Sequence, residues 1–331
     1  MELWEKLHQI ADVARPKLQR EFLRTVYSTQ DKVNLSVLRK AISTGDISKA
    51  WKAMNWEKAM QAEMTPMIQS HLLKIIADSG PAALGGVPDL QMSFDVQNPE
   101  VYDAIKKETG KLITQITEQT RRGVVDAVTQ AFRMGLGPPE GQIFDILKNA
   151  ANIQESLGLN ARQMGALNKY RMELAKKGIT GTSYTKMVGQ YRTTLLKQRA
   201  VMIARTETIQ AACEGQRLAW DQAISSGELD PNRFEVEWIV TPDDITCKRC
   251  MSMKGQRRPM QGIYMMGDAR GTKGPTLHPH CRCGEKIVKK RGVKDVVIKS
   301  KRPGQVKPPS VVIQPWFEAT GHRVSEQKAH I

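Results

Sequence analysis

Four cysteines and two histidines fall into two tight groups. Cys247-Lys248-Arg249-Cys250 is a C-x2-C pair, and 27 residues later comes His278-Pro279-His280-Cys281-Arg282-Cys283. A C-x2-C turn aims two thiolates at one point, the first half of a tetrahedral zinc site. The second group offers the remaining soft ligands, and thiolate with imidazole is the donor mixture that zinc favours. The metal candidates are Cys247, Cys250, His278, Cys281 and Cys283. Spacing leaves open which four bind; the order of preference is Cys247, Cys250 and His278, with Cys283 slightly ahead of Cys281. Pro279 stiffens the turn after His278, and C-x-C on a strand puts both sulfurs on one side. Three thiolates and one neutral imidazole around Zn2+ leave one negative charge, which Lys248, Arg249 and Arg282 can offset.

Four protein ligands close the coordination sphere, so the expected role is structural Zn2+ rather than catalysis. A catalytic zinc needs an open position with an acid or base beside it, and neither H-E-x-x-H nor H-x-E occurs. A reactive redox pair is disfavoured by the second cysteine group and by the lack of a thioredoxin-like strand–helix setting. The stretch from Met251 to Leu277 is poor in apolar residues and needs a staple; zinc supplies folding free energy on the order of 10 kcal/mol in small domains. Cys213 stands alone in a helical stretch and reads as a small buried hydrophobe.

The elements that must position these groups are mainly helical. Leu3, Leu7, Ile10, Ala14, Leu18, Phe22 and Val26 share a helix face, with a kink or break expected at Pro16. A second helical stretch runs from Ile47 to Ala77, burying Trp51, Trp56, Met60, Met64 and Ile68. Glycines and prolines make Ser79 to Pro99 a loop. Asn98-Pro99-Glu100 starts a long helix that ends near Arg133, with a solvated threonine-rich flank. Shorter helices are expected over Pro139 to Ala150 and Asn160 to Lys177, the latter capped by Asn160. Another helix, capped by Thr182 or Ser183, runs towards Ala219. Phe234, Val236, Trp238 and Val240 alternate with polar neighbours and predict a strand. The fold class is therefore mainly α: a long helical N-terminal region, then a small α+β zinc-stapled C-terminal domain and a basic extended tail. The domain reading is 1–79 helical, 80–99 linker, 100–199 helical, 200–290 the Cys/His domain and 291–331 the tail.

Fifty basic against 34 acidic residues give +16, which favours polyanionic partners. From Gly284 to Lys307 nine basic residues face two acids, so this stretch reads as an arm rather than core. Lys286, Lys289, Lys290, Arg291, Lys294, Lys299, Lys301 and Arg302 are the candidate DNA-phosphate contacts, holding duplex without reading its sequence. Aromatic residues are only 5%, which argues against large base-stacking platforms. No apolar run is long enough to span a bilayer, and the start of the chain lacks a signal-peptide pattern, so folding in a reducing cytoplasm is expected.

Ala204-Arg205-Thr206-Glu207-Thr208 opening a helix, a strand with Trp238, the turn Asp243-Asp244-Ile245-Thr246-Cys247-Lys248-Arg249-Cys250, Gly255 and His278-Pro279-His280-Cys281-Arg282-Cys283 occur in that order. Over about residues 200–290 this resembles the C-terminal domain of the Mu F-like minor head proteins of tailed bacteriophages, also called head morphogenesis proteins. The helices before it, with Gly158-Leu159-Asn160, Tyr170 and Tyr191, look like the same family's helical region. His280 departs from the small polar residue common there. The resemblance implies a minor capsid protein without enzymatic activity. It would bind the portal protein, with the major capsid or scaffold protein as further partners, contact packaged double-stranded DNA, and reside in the virion after assembly in the host cytoplasm, in some members being delivered with the genome. The alternative function is a metal-dependent nuclease, or another DNA-acting enzyme, using His278 or His280. Arg205 and Glu207 are expected to form a structural ion pair or cap that locks the helix against the zinc knob.

Overall fold

The computed structural model describes residues 2–87, 90, 92–134, 150–241, 243–266 and 271–292. The chain is mainly helical, with a small strand-containing C-terminal region. Residues 1–291 cluster into one compact unit.

Helix α1, Leu3–Asp31, begins with a reciprocal cap between Glu2 and Glu5. It carries Pro16 inside an unbroken helical span, so no separate shorter helices form. Proline removes one backbone hydrogen bond and costs about 3 kcal/mol. The apolar stripe is buried on both sides of it, at Leu7, Ala11, Leu18, Phe22 and Val26, and that burial outweighs the loss. The expected stretch from Ile47 divides instead, because Asn55 adopts a left-handed backbone at φ 54°. Helices α2, Leu35–Thr44, and α3, Ile47–Ala53, precede it; α4, Trp56–Ala59, follows and passes through a π-helical turn, Met60–Met64, into α5, Thr65–Leu84. Trp51, Trp56, Met60, Met64 and Ile68 are buried as expected. The loop expected from Ser79 starts only after Leu84. Gly80 lies within α5 because Phe94 packs on it: an added Cβ would meet the Phe94 ring at 2.3 Å.

Helix α6, Pro99–Met134, starts where Asn98 accepts from the Glu100 N–H at 2.9 Å. Its threonine flank is not wholly solvated. Thr109 and Thr120 are buried, and Thr120 Oγ1 accepts from the Arg199 guanidinium at 3.0 Å. The helix expected over Pro139 to Ala150 lies outside the described residues except for its last one. Helix α7, Ala161–Lys176, has the expected Asn160 cap. Helix α8, Gly181–Ser225, is 45 residues long, roughly 68 Å at 1.5 Å per residue. Thr180 precedes it without a side-chain cap. Because α8 runs through residue 204, Ala204 to Thr208 sits mid-helix rather than opening one.

The long α8 packs extensively on α1 and α5, then carries Trp220 under a three-stranded antiparallel sheet. In that sheet β1, Phe234–Ile239, lies between β2, Arg257–Pro259, and the last strand, Gly284–Lys289, with Trp238 opposite Glu285. A two-stranded ladder of β3, Tyr264–Met265, and β4, Gly271–Thr272, sits beside it; the last strand is thus β5. Gly284 to Lys289 therefore belongs to the sheet and not to an arm. The reason is chemical as well as topological. Glu285 is fully buried, and Arg217 and Arg258 each reach its carboxylate at 3.0 Å.

Candidate metal centre

The first cysteine pair is set by the turn that precedes it. Asp243 accepts from the Ile245 N–H at 3.1 Å and from the Thr246 hydroxyl, while its carboxylate is clamped by both terminal nitrogens of Arg282. Cys247 then caps a single helical turn, α9, Lys248–Met251; its sulfur accepts from the Cys250 N–H at 3.4 Å. That hydrogen bond draws the Cys247 thiol below its usual pKa, as a helix start does for an anion. Both sulfurs of the pair consequently face the same point.

His278 comes to that point from the other side. Its Nε2 lies 3.2 Å from Cys247 Sγ and 3.0 Å from Cys250 Sγ. Its Nδ1 is 2.7 Å from the Pro279 carbonyl, which can only accept, so the proton resides on Nδ1 and the Nε2 lone pair faces the sulfurs. A backbone carbonyl on the far ring nitrogen is the usual way a metal-binding imidazole is oriented. Burial opposes charge on His278, but the Pro279 carbonyl and the neighbouring thiolates carry its pKa above the usual imidazole value.

Cys250 Sγ is 3.8 Å from Cys281 Sγ. Tetrahedral coordination with Zn–S near 2.3 Å puts two sulfurs about 3.8 Å apart. The ligand atoms form two overlapping groups, Cys247–Cys250–His278 and Cys250–Cys281–Cys283, each within 4.8 Å. All five metal candidates are thus brought together, and they could hold a metal ion. No carboxylate joins either group among the described residues. The residues from Cys281 to Cys283 are irregular rather than strand, and β5 begins only at Gly284. The neighbouring Cys283 thiol pulls the Cys281 thiol down to about 5, while Cys281 and burial push Cys283 up. Burial raises Cys250 to about 12.

The helical body holds the centre from behind. The Arg282 carbonyl accepts from His8 Nε2 at 3.0 Å and from the Thr241 hydroxyl at 2.9 Å, and Trp4 of α1 approaches Gly284. His280, whose φ is 64°, donates its backbone N–H to Thr206 Oγ1 at 3.1 Å. Thr206, rather than an Arg205–Glu207 ion pair, fastens α8 to the cysteine loop. Arg205 lines the cleft at the centre, while Glu207 lies near Glu108 of α6. Burial and that like charge raise its pKa to about 7. Cys213 is buried and raised to about 12 by burial, as a packed thiol should be.

Of the candidate DNA contacts, Lys286 is in β5 and pairs with Glu237 at 3.1 Å. Lys289 ends that strand, and Lys290 and Arg291 follow it. Lys294, Lys299, Lys301 and Arg302 lie outside the described residues. Sequence reasoning missed His8 and Thr206 as supports, and Glu285 as the anchor of the sheet. A lone acid between Cys283 and a basic run was the available sign for Glu285; nothing near residue 8 pointed to a loop 274 positions away. No helix among the described residues is long and apolar enough to cross a membrane. Compared with protein-family models, curated proteins and solved structures, the chain finds no match.

Proposed function

We propose that the centre holds one structural Zn2+ on Cys247, Cys250, His278 and Cys281, and that the chain is a minor head protein of a tailed bacteriophage. Cys281 replaces Cys283 in the order of preference. Its sulfur stands at tetrahedral spacing from Cys250, and its charge reaches His278. Cys283 remains an outer thiol beside Trp238. The observation that carries the reading is the convergence of Cys247, Cys250 and His278, with the imidazole held in its ligating tautomer and Cys281 at 3.8 Å from Cys250. Such a set fills a tetrahedron and leaves no open position for water, so it acts as a clasp and not as a catalyst.

The step from clasp to head protein rests on the order of motifs that resembles the Mu F-like family. On this reading the chain is not an enzyme. It binds the portal protein, with the major capsid or scaffold protein as further contacts, during head assembly in the host cytoplasm. It enters the virion in the head, where the basic residues from Lys289 onward lie against packaged DNA.

The two parts of the proposal are tested separately. Metal analysis of the purified chain should give one zinc per molecule. Cys247→Ser, Cys250→Ser and Cys281→Ser should lose it, and Cys283→Ser should retain it. Absence of stoichiometric zinc, with the C-terminal region still folded in chelator, would refute the clasp. Co-purification with a phage portal protein tests the assembly role, and absence of the chain from purified particles would refute that role. Cleavage of plasmid with magnesium or manganese, lost in His280→Ala, would favour the nuclease instead.

A further inference from the structure

A cleft of about 380 Å³ opens over the cysteine cluster: the five metal candidates line one part of it, and Arg205, His280, Arg282, Thr241, Thr246 and Ile245 line the rest. Most polar groups in it are already engaged. Arg282 is clamped to Asp243, the Thr241 hydroxyl donates to the Arg282 carbonyl, and Thr246 donates to the Thr241 carbonyl at 2.8 Å. Arg205 and His280 are different. Among the described residues the Arg205 guanidinium has no carboxylate or carbonyl partner, and its Nε is sealed from water without an acceptor. The His280 ring likewise has no hydrogen-bond partner there; only its backbone N–H is used.

A shielded guanidinium nitrogen without an acceptor is costly, and nearby cations add to the imbalance. Arg282 and the Arg205 charge repel, as do Arg205 and Arg15, while Asp243, already clamped by Arg282, attracts Arg205. Lys248 and Arg249 stand exposed on α9, directly after Cys247. A guanidinium fork beside an imidazole, with Arg282 in the same wall, is matched by a tetrahedral oxyanion that accepts from both.

We propose that this cleft is a phosphate site, in which Arg205 and His280 together grip one phosphate group. The group comes from a nucleic-acid backbone or from free phosphate, and the chemistry of the grip is the same. A backbone phosphate here would place DNA against the folded body as well as against the basic stretch beyond Lys289. The site needs the cysteine loop in place but not the assembly role.

The test uses the full-length chain with its zinc content measured on the same sample, so that loss of the clasp is recognised separately. Duplex DNA binding is followed by fluorescence anisotropy across a salt series, and inorganic phosphate binding by calorimetry. Arg205→Gln should weaken phosphate binding about tenfold. If duplex uses the site, the slope of log affinity against log salt should also fall by about one. Phosphate binding without a duplex effect assigns the cleft to free phosphate and supports the proposal. Unchanged binding of both probes in Arg205→Gln overturns it, and so does acetate competing as well as phosphate. Should Arg205→Gln unfold, His280→Asn serves instead, since asparagine tolerates the left-handed backbone at that position; the same outcomes then decide.

Discussion

Replacing Glu285 by glutamine keeps the side chain's volume but removes the charge that two arginines share. Glu285 is fully buried and Arg258 is 3% exposed, so water cannot take the carboxylate's place. Arg217 Nη1 and Arg258 Nη2 each stand 3.0 Å from it. Removing one partner of a buried pair typically costs about 3–5 kcal/mol, because the other charge is left stranded. Here Arg217 keeps Glu214, whose carboxylate lies 2.6 Å from its Nη2. Arg258 keeps the carbonyls of Pro259 and Met260 and the face of the Tyr264 ring. The expected loss for Glu285→Gln is therefore near the lower bound, about 3 kcal/mol. Urea unfolding at fixed free zinc measures it, since bound metal shifts apparent stability; the midpoint should fall with the slope unchanged. The double change Glu285→Leu with Arg258→Met removes both charges and should be more stable than Glu285→Gln. A single variant within about 0.5 kcal/mol of the parent would show that the ionic cluster does not hold β5 to α8, and the reasoning would fail.

Glu207 supplies a pH dependence. Burial and Glu108 raise its folded pKa from the reference of 4.5 to about 7. The folded state thus retains a proton that the unfolded state releases, so this group's contribution falls as pH rises from about 4.5 to 7 and is level above. Glu207→Gln should gain on the order of 2 kcal/mol over the parent at pH 8 relative to pH 5. A gap independent of pH in paired melts would refute it. Gly215 of α8 lies against α5, where a Cβ would sit 2.9 Å from Ile76 Cα and 3.0 Å from its carbonyl oxygen. Gly215→Ala should therefore cost about 2 kcal/mol through overpacking, although alanine is the better helix former by about 1 kcal/mol; a raised melting temperature would contradict the close approach.

Periodicity and ligand chemistry carried most of what could be read from the residues alone. The stripes of α1, α6 and α7, the Asn98 and Asn160 caps and the β1 alternation are local patterns, and each depends on near neighbours in sequence. So does the aim of Cys247 and Cys250, fixed by one helical turn. What failed was local evidence overruled by distant packing. Gly80 and Pro81 read as loop residues, yet Phe94 needs the bare backbone at Gly80. The basic run after Cys283 read as a tail, yet one glutamate in it meets two arginines from α8 and β2. Thr120 read as solvated flank, yet it holds Arg199, a buried cation that bonds oxygens of α6 and the Gly158 carbonyl. In each case the partner lies far away along the chain, and no spacing rule reaches that far.

The same long-range contacts bear on the proposed role of the cysteine cluster. A free-standing knob would need only its ion and its own turn. Here its loop is tied at His280 to Thr206 of α8, at the Arg282 carbonyl to His8 of α1, and through Glu285 to Gln216 and Arg217. These three ties arrive from two helices that also pack on each other over much of their length. An ion bound at the cluster would therefore fix the second half of α8 relative to the start of α1, so its effect would reach well beyond the loop that binds it. A clasp so placed would suit the proposed assembly role, because it would keep this part rigid between the two helices.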